Sequence, residues 1–264
     1  MKFISCCLMI AIGCQMLIAQ KSDTTKIVVF AAGTEGYKSY HIPAIVKLPG
    51  NDLLAFCEGR VNGSGDFGDI NIVMKRSSNQ GKAWSSLHTI VDADQLQAGN
   101  PAPVVDVTDP EYSNGKIFLF YNTGNNNEAE VRKGKGLREV WYVSSVDGGR
   151  TWSNAVNITT QVHRTMKPRE QSACQFIEDW RSYANTPGHA LQIQDGKYRG
   201  RMYVAANHSV GDPKPGSEDY FAHGFYTDDH GKTFHLGETI NLAGGNEVTA
   251  AEILNGGLLL NARN

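Results

Sequence analysis

The side chains able to do chemistry are scattered along this sequence. His41 opens an alternating stretch, Ile42-Ala44-Val46-Leu48, and Asp66 lies in a polar, Gly-rich segment from Val61 to Gly68. Glu58 and Arg60 follow the apolar run Leu53 to Cys57, Asn100 stands in Gly99-Asn100-Pro101, and Glu247 and Arg263 bracket the last two strand-like segments. Carboxylates can move protons and guanidinium groups can grip anions through forked hydrogen bonds. Each also has a plain reading. Asp66 alone is a solvated turn residue, Glu247 a strand-edge Glu and Arg263 a solvated terminal Arg. Glu58 and Arg60 read as a buttress for a site or a core. Cys and His show no metal-ligand spacing, so neither a metal nor a cofactor is expected. Cys57 and Cys174 sit in apolar, strand-like contexts and read as buried free thiols, although export would permit a disulfide.

The elements that position these groups are short. In 264 residues there are 28 Gly against 9 Pro, with turn clusters about every ten residues, which favours many strands over long helices. A formal charge of −2 and the lack of a basic stripe exclude a nucleic-acid footprint. Lys2 followed by the apolar run Phe3 to Ala19 reads as a secretory signal peptide over 1–19. A lipoprotein signal anchored at Cys14 is the alternative; either sends the chain to the periplasm, the cell surface or the medium. Strands are expected at Lys26–Ala31, over the Tyr40–Trp84 stretch, and at Leu87–Val91, Val104-Val105, Lys116–Tyr121, Val140–Ser144, Ala190–Gln194, Arg201–Ala206 and Gly224–Thr227. The last two follow Asn246 and Leu258. Gly99-Asn100-Pro101 reads as loop, and Asn122 to Leu137 as a long polar loop of the kind that is functional or disordered.

Three units of the form S/T-x-D/N-x-G-x-x-W/F start at Ser77, Ser145 and Thr227, each after a strand. The Asp or Asn closes the turn on nearby N–H groups, Gly takes positive φ, and the aromatic plugs the turn against its own sheet. Spacings of 68 and 82 residues (145−77 and 227−145) suit one four-stranded blade plus loops, or blades with neighbours that lack the turn. The fold class is all-β and the architecture a β-propeller over 26–264. These units are Asp-box (BNR) repeats, which specify fold rather than chemistry.

Together with Tyr40-His41-Ile42-Pro43, Glu58-Gly59-Arg60, Asp66, Asn100-Pro101-x-Pro103, Pro187-Gly188-His189-Ala190-Leu191-Gln192, Asn246-Glu247 and Leu260-Asn261-Ala262-Arg263, the chain resembles the exo-α-sialidases (neuraminidases). Their catalytic domain is a six-bladed propeller, of which about four blades would be present. The resemblance implies a retaining glycoside hydrolase acting on terminal sialic acids of glycoproteins, glycolipids and oligosaccharides. The anomeric carbon of sialic acid carries a carboxylate that would repel a carboxylate nucleophile, and the family uses a Tyr instead. On this resemblance Asp66 is the acid/base, Glu247 the residue that activates the Tyr, and Arg263 one of three arginines gripping the substrate carboxylate. Asn100 and the 122–137 loop would form the rim around the sugar.

Two departures stand out. The family's Arg-Ile-Pro is His41-Ile42-Pro43 here, and imidazole lacks the planar fork of donors; a lost bidentate contact removes about 2–5 kcal/mol in a buried site. The family's third Arg and its Tyr lie past the position of Asn264, so the chain reads as a C-terminally truncated sialidase. The alternative function is a non-catalytic sialoglycan-binding propeller or an inactive fragment.

Overall fold

A computed structural model describes residues 26–165 and 178–264. The expected leader, the possible anchor at Cys14, and Cys174 lie outside the described residues. Cys57 is a buried free thiol, and burial pushes its pKa up.

The first blade consists of β1 (Ser39–Lys47), β2 (Leu53–Arg60), β3 (Ile70–Ser77) and β4 (His88–Val91), paired antiparallel in that order. The second repeats the plan with β5 (Gln97–Asp106), β6 (Lys116–Gly124), β7 (Arg138–Ser145) and β8 (Val156–Asn157). One parallel bridge, Ile70↔Gln97, joins the two into a continuous sheet. In the third blade the first strand is split into β9 (Trp180–Asn185) and β10 (Leu191–Gln192), both paired to β11 (Met202–Val210), which continues through β12 (Tyr220–Thr227) to β13 (His235–Leu236). A hairpin of β14 (Asn246–Ile253) and β15 (Gly257–Arg263) starts a fourth. Among the described residues these sheets do not close a ring. The β-propeller class and the figure of about four blades agree with this arrangement.

The second and third blades each face two neighbours, so their strands are buried on both sides and read as apolar runs. Phe56, Ile72 and Met74 of the first blade meet Ile117, Leu119 and Val143 of the second. Phe118, Phe120 and Val140 of the second meet Met202, Val204 and Phe225 of the third. The hairpin is held by a smaller contact, Val248 and Ala250 on Ala205 and Ala222.

The three repeated turns occupy one place in successive blades, between the third strand and the fourth. In the second blade the Ser145 hydroxyl accepts from Gly149 N–H at 2.9 Å, and Asp147 Oδ1 accepts from Arg150 N–H and Thr151 N–H at 2.9 and 3.0 Å. Thr227 and Asp229 repeat the pattern in the third. The glycine is required twice over. Gly149 and Gly231 have φ of 82°, and a Cβ there would lie 2.8 Å from Leu54 and 2.5 Å from Phe118, in the preceding blade. The aromatic does more than plug its own sheet. Trp152 packs edge-on against Phe56 of the first blade at 5.9 Å, and Phe234 against Phe120 of the second at 5.7 Å.

Local departures from the sequence reading are few. Lys26–Ala31 forms no strand, because its apolar residues pair with no neighbouring chain there. Gly99-Asn100-Pro101 is part of β5. The segment from Asn122 to Leu137 continues β6 to Gly124 and then forms α1 (Glu128–Arg132), capped by Asn127 Oδ1 accepting from Glu130 N–H at 3.1 Å.

Candidate active site

The first strand of a blade has to aim side chains at the middle of the ring, across the grain of a regular pleat. The same local device does this in three blades. Ile42 in β1, Asn100 in β5 and Glu247 in β14 have φ of 50°, 54° and 38°, and the ladder slips a register at each. A bulge of this kind re-aims a side chain, and positive φ is unfavourable for a β-branched residue such as Ile42. All three residues line one cavity of about 280 Å³.

Asp66, Glu58, Arg60 and Arg263 line the same cavity. They differ sharply in burial. Arg60 and Glu58 project from the end of β2 as a buried pair, with Arg60 Nε and Nη2 donating to Glu58 Oε2 at 3.0 and 2.6 Å. Glu58 Oε1 accepts from Asn100 N–H at 2.9 Å, which fixes the β5 bulge. The remaining nitrogen, Arg60 Nη1, donates to Ser64 O at 2.6 Å and to Asp66 Oδ1 at 2.7 Å. A buried guanidinium thus holds the loop that presents an exposed Asp66. Glu247 and Arg263 form an ion pair across the β14–β15 hairpin. His41 sits opposite Glu58 in the ladder, half-buried, and the cavity is lined at this point by Ile42, not His41.

The far wall is built by α1 and the third blade. Glu128 on α1 accepts from Ser182 Oγ at 2.5 Å, from Tyr220 OH, and from Arg138 Nη2 at 3.3 Å. The helix is clamped to the third blade by Arg132, whose Nε and Nη2 donate to Asp219 at 3.0 and 2.6 Å, and by Arg181 donating to Arg132 O at 2.8 Å. Burial, and then the Glu128 carboxylate, push the Tyr220 phenol well above its ordinary pKa; burial does the same to Tyr183. The phenolate is thus disfavoured at both cavity tyrosines, and Tyr220 serves as a donor to Glu128. Tyr183 OH, both amide atoms of Asn185, Gln97 Oε1 and Asn207 Oδ1 are buried without a protein partner and line the cavity as well. The composition of segment 122–137 marked its polarity; nothing in it could show that α1 reaches the third blade.

The fold and this cavity define a propeller protein with carboxylates and guanidinium groups gathered at one mouth. Residues 51–264 match the BNR repeat-like domain. The chain is 30% identical to a sialidase of Micromonospora viridifaciens over 246 residues, covering 88% of this chain and 34% of that protein. It is 34% identical to an exo-alpha-sialidase of Aspergillus fumigatus over 181 residues, covering 61% of this chain and 40% of that one. Among solved structures it superimposes on the Hadza microbial sialidase Hz136 with a TM-score of 0.69 at 23% identity, covering 88% of this chain and 43% of that one. The chain belongs to the exo-α-sialidase family. It spans between a third and about two fifths of the length of the two curated relatives.

Proposed function

We propose that this chain carries the acid/base, the base and one anion-gripping arginine of a retaining exo-α-sialidase that releases terminal sialic acids from glycoconjugates. The observation that carries the reading is that Asp66, Glu247 and Arg263, nearly two hundred positions apart in the extreme (263−66 = 197), line a single cavity. Asp66 is at the rim, where it can protonate a departing glycosidic oxygen. Arg263 takes the substrate carboxylate, and Glu247 beside it is the carboxylate that accepts a phenolic proton. The buried, unpartnered amide and hydroxyl groups of Asn185, Asn207, Gln97 and Tyr183 suit a ligand rich in hydroxyl and amide groups. Export after cleavage at Ala19 places the enzyme where sialylated glycoproteins, glycolipids and oligosaccharides are found.

A second reading is a propeller that binds sialoglycans without cleaving them, and it too is favoured by the buried, unpartnered amide and hydroxyl groups of the cavity. Two measurements separate them: binding of sialic acid by calorimetry, and release of the fluorophore from a fluorogenic sialoside. Binding with turnover that is lost in Asp66→Ala supports the hydrolase. Binding without turnover supports the binding module, and absence of both removes the family's chemistry from this cavity.

A further inference from the structure

Every arginine that lines the cavity already carries a carboxylate. Arg60 is paired with Glu58 and Asp66, Arg138 with Glu128, and Arg263 with Glu247. With four acids against three arginines, the lining has a formal charge of −1. An anionic sugar meets no unpaired guanidinium among these three, and can be gripped only by displacing one of the protein's own carboxylates.

Burial decides which one. The Arg60–Glu58 pair is 4% and 2% exposed, and separating it would strand a charge in the interior, a strongly destabilising step. Asp66, the other partner of Arg60, is exposed, but the Nη1 that reaches it also donates to Ser64 O at 2.6 Å and so stays committed to the loop. Arg138 is 5% exposed and also donates to Asn126 O at 2.9 Å, so its position is fixed from behind. Arg263 and Glu247 are 68% and 39% exposed, the range in which an ion pair contributes little. Arg263 makes no other side-chain hydrogen bond or ion pair among the described residues. The backbone supports the exchange. Glu247, on its bulge at φ 38°, has its N–H held by Asn246 Oδ1 at 2.8 Å, and Asn246 Oδ1 also accepts from Asn207 Nδ2 at 3.1 Å. The main chain at Glu247 is therefore fixed while its side chain is free to change partner.

We infer that Glu247 occupies the anion position on Arg263 in the empty site and that the ligand's carboxylate enters by replacing it. This rests on the reading above and adds a control to it. Binding an anion frees Glu247, so a carboxylate able to accept a proton is released only when the sugar's own carboxylate is in place. No covalent bond changes in this step; one ion pair is exchanged for another.

The test is calorimetric titration of the chain with sialic acid, in wild type, Glu247→Gln, Glu128→Gln and Arg263→Gln. Glutamine at 247 keeps the shape and removes the competitor, so affinity rises by up to about fivefold, the factor that an exposed pair of ~1 kcal/mol corresponds to. Glu128→Gln removes an equal charge from the same cavity without unpairing Arg263, and gives no comparable gain. Arg263→Gln weakens binding. A Glu247→Gln affinity equal to or below wild type overturns the exchange, as does an equal gain in Glu128→Gln, which would reduce the effect to general charge. If neither the wild type nor Glu247→Gln binds sialic acid, the sialidase reading of the cavity falls and the exchange falls with it.

Discussion

Arg60 is the residue on which the candidate acid/base depends, since it donates directly to Asp66. It satisfies a buried Glu58 with two of its nitrogens and holds the Asp66 loop with the third. Arg60→Met would leave Glu58 buried and unpaired, and is expected to cost about 3–5 kcal/mol of stability. Asp66→Asn loses only an exposed partner and should unfold at nearly the wild-type denaturant concentration, while sialoside turnover falls sharply. Chemical denaturation of the two variants side by side checks the first contrast. His41 is the opposite case. The bulge at Ile42 turns the cavity-facing position away from it, so His41→Arg is expected to change sialic acid affinity less than Arg263→Gln does, by calorimetry.

At the level of the element, the repeated turn is the unit that sets one blade on the next. Asp147 accepts from two backbone N–H groups, from Thr151 Oγ1 at 2.6 Å and from Ser145 Oγ at 2.8 Å. The Thr151 hydroxyl contributes most to holding its carboxyl well below the usual carboxylate range. At Asp229 burial opposes the same bonds, those from Thr233 foremost, and the pKa still falls to about 2. A depressed folded pKa means a contribution that is complete above the unfolded value near 4 and is lost as the pH falls through the folded one. Asp147→Ala and Asp229→Ala should therefore lower the melting temperature at pH 7 and lower it less at pH 2. Gly231→Ala should be worse than either, since it combines φ of 82° with a Cβ only 2.5 Å from Phe118. Melting curves of the three variants at the two pH values decide the order.

For the whole molecule, three histidines make the junction of the second and third blades sensitive to acid. His163, His208 and His223 are buried among Trp180 and Tyr183, and the Nδ1 atoms of His208 and His223 lie 3.0 Å apart, which requires one to donate and the other to accept. Burial lowers all three pKa values, to about 3 for His163 and for His223 and further for His208. The unfolded chain takes up these protons near pH 6.5 and the folded chain does not, so stability is intact above that pH and falls steadily down to about pH 3. Each histidine contributes a slope of about 1.4 kcal/mol per pH unit in this window. Unfolding free energies at pH 7, 6 and 5 should show the steepening, and His163→Phe should remove about a third of it. Unchanged stability from pH 7 to 5 would contradict a neutral, buried cluster.

The family, the propeller and the order of the blades were legible in the residues because they rest on local chemistry. A hydroxyl, a carboxylate or amide, a positive-φ glycine and an aromatic at fixed offsets close the same turn wherever they occur, and apolar runs mark strands buried on both faces. Asp66, Glu247 and Arg263 could be named only through the resemblance to the exo-α-sialidases, since each alone reads as an ordinary solvated residue. Three things needed the assembled molecule. The bulges that turn Ile42, Asn100 and Glu247 toward one mouth arise from register between strands, which is a pairing and not a pattern along the chain. Reach across blades decides that α1 carries Glu128 to Ser182 and Tyr220, residues 54 and 92 positions away. Burial, finally, separates a locked guanidinium at Arg60 from an exchangeable one at Arg263, and burial belongs to the packed protein alone.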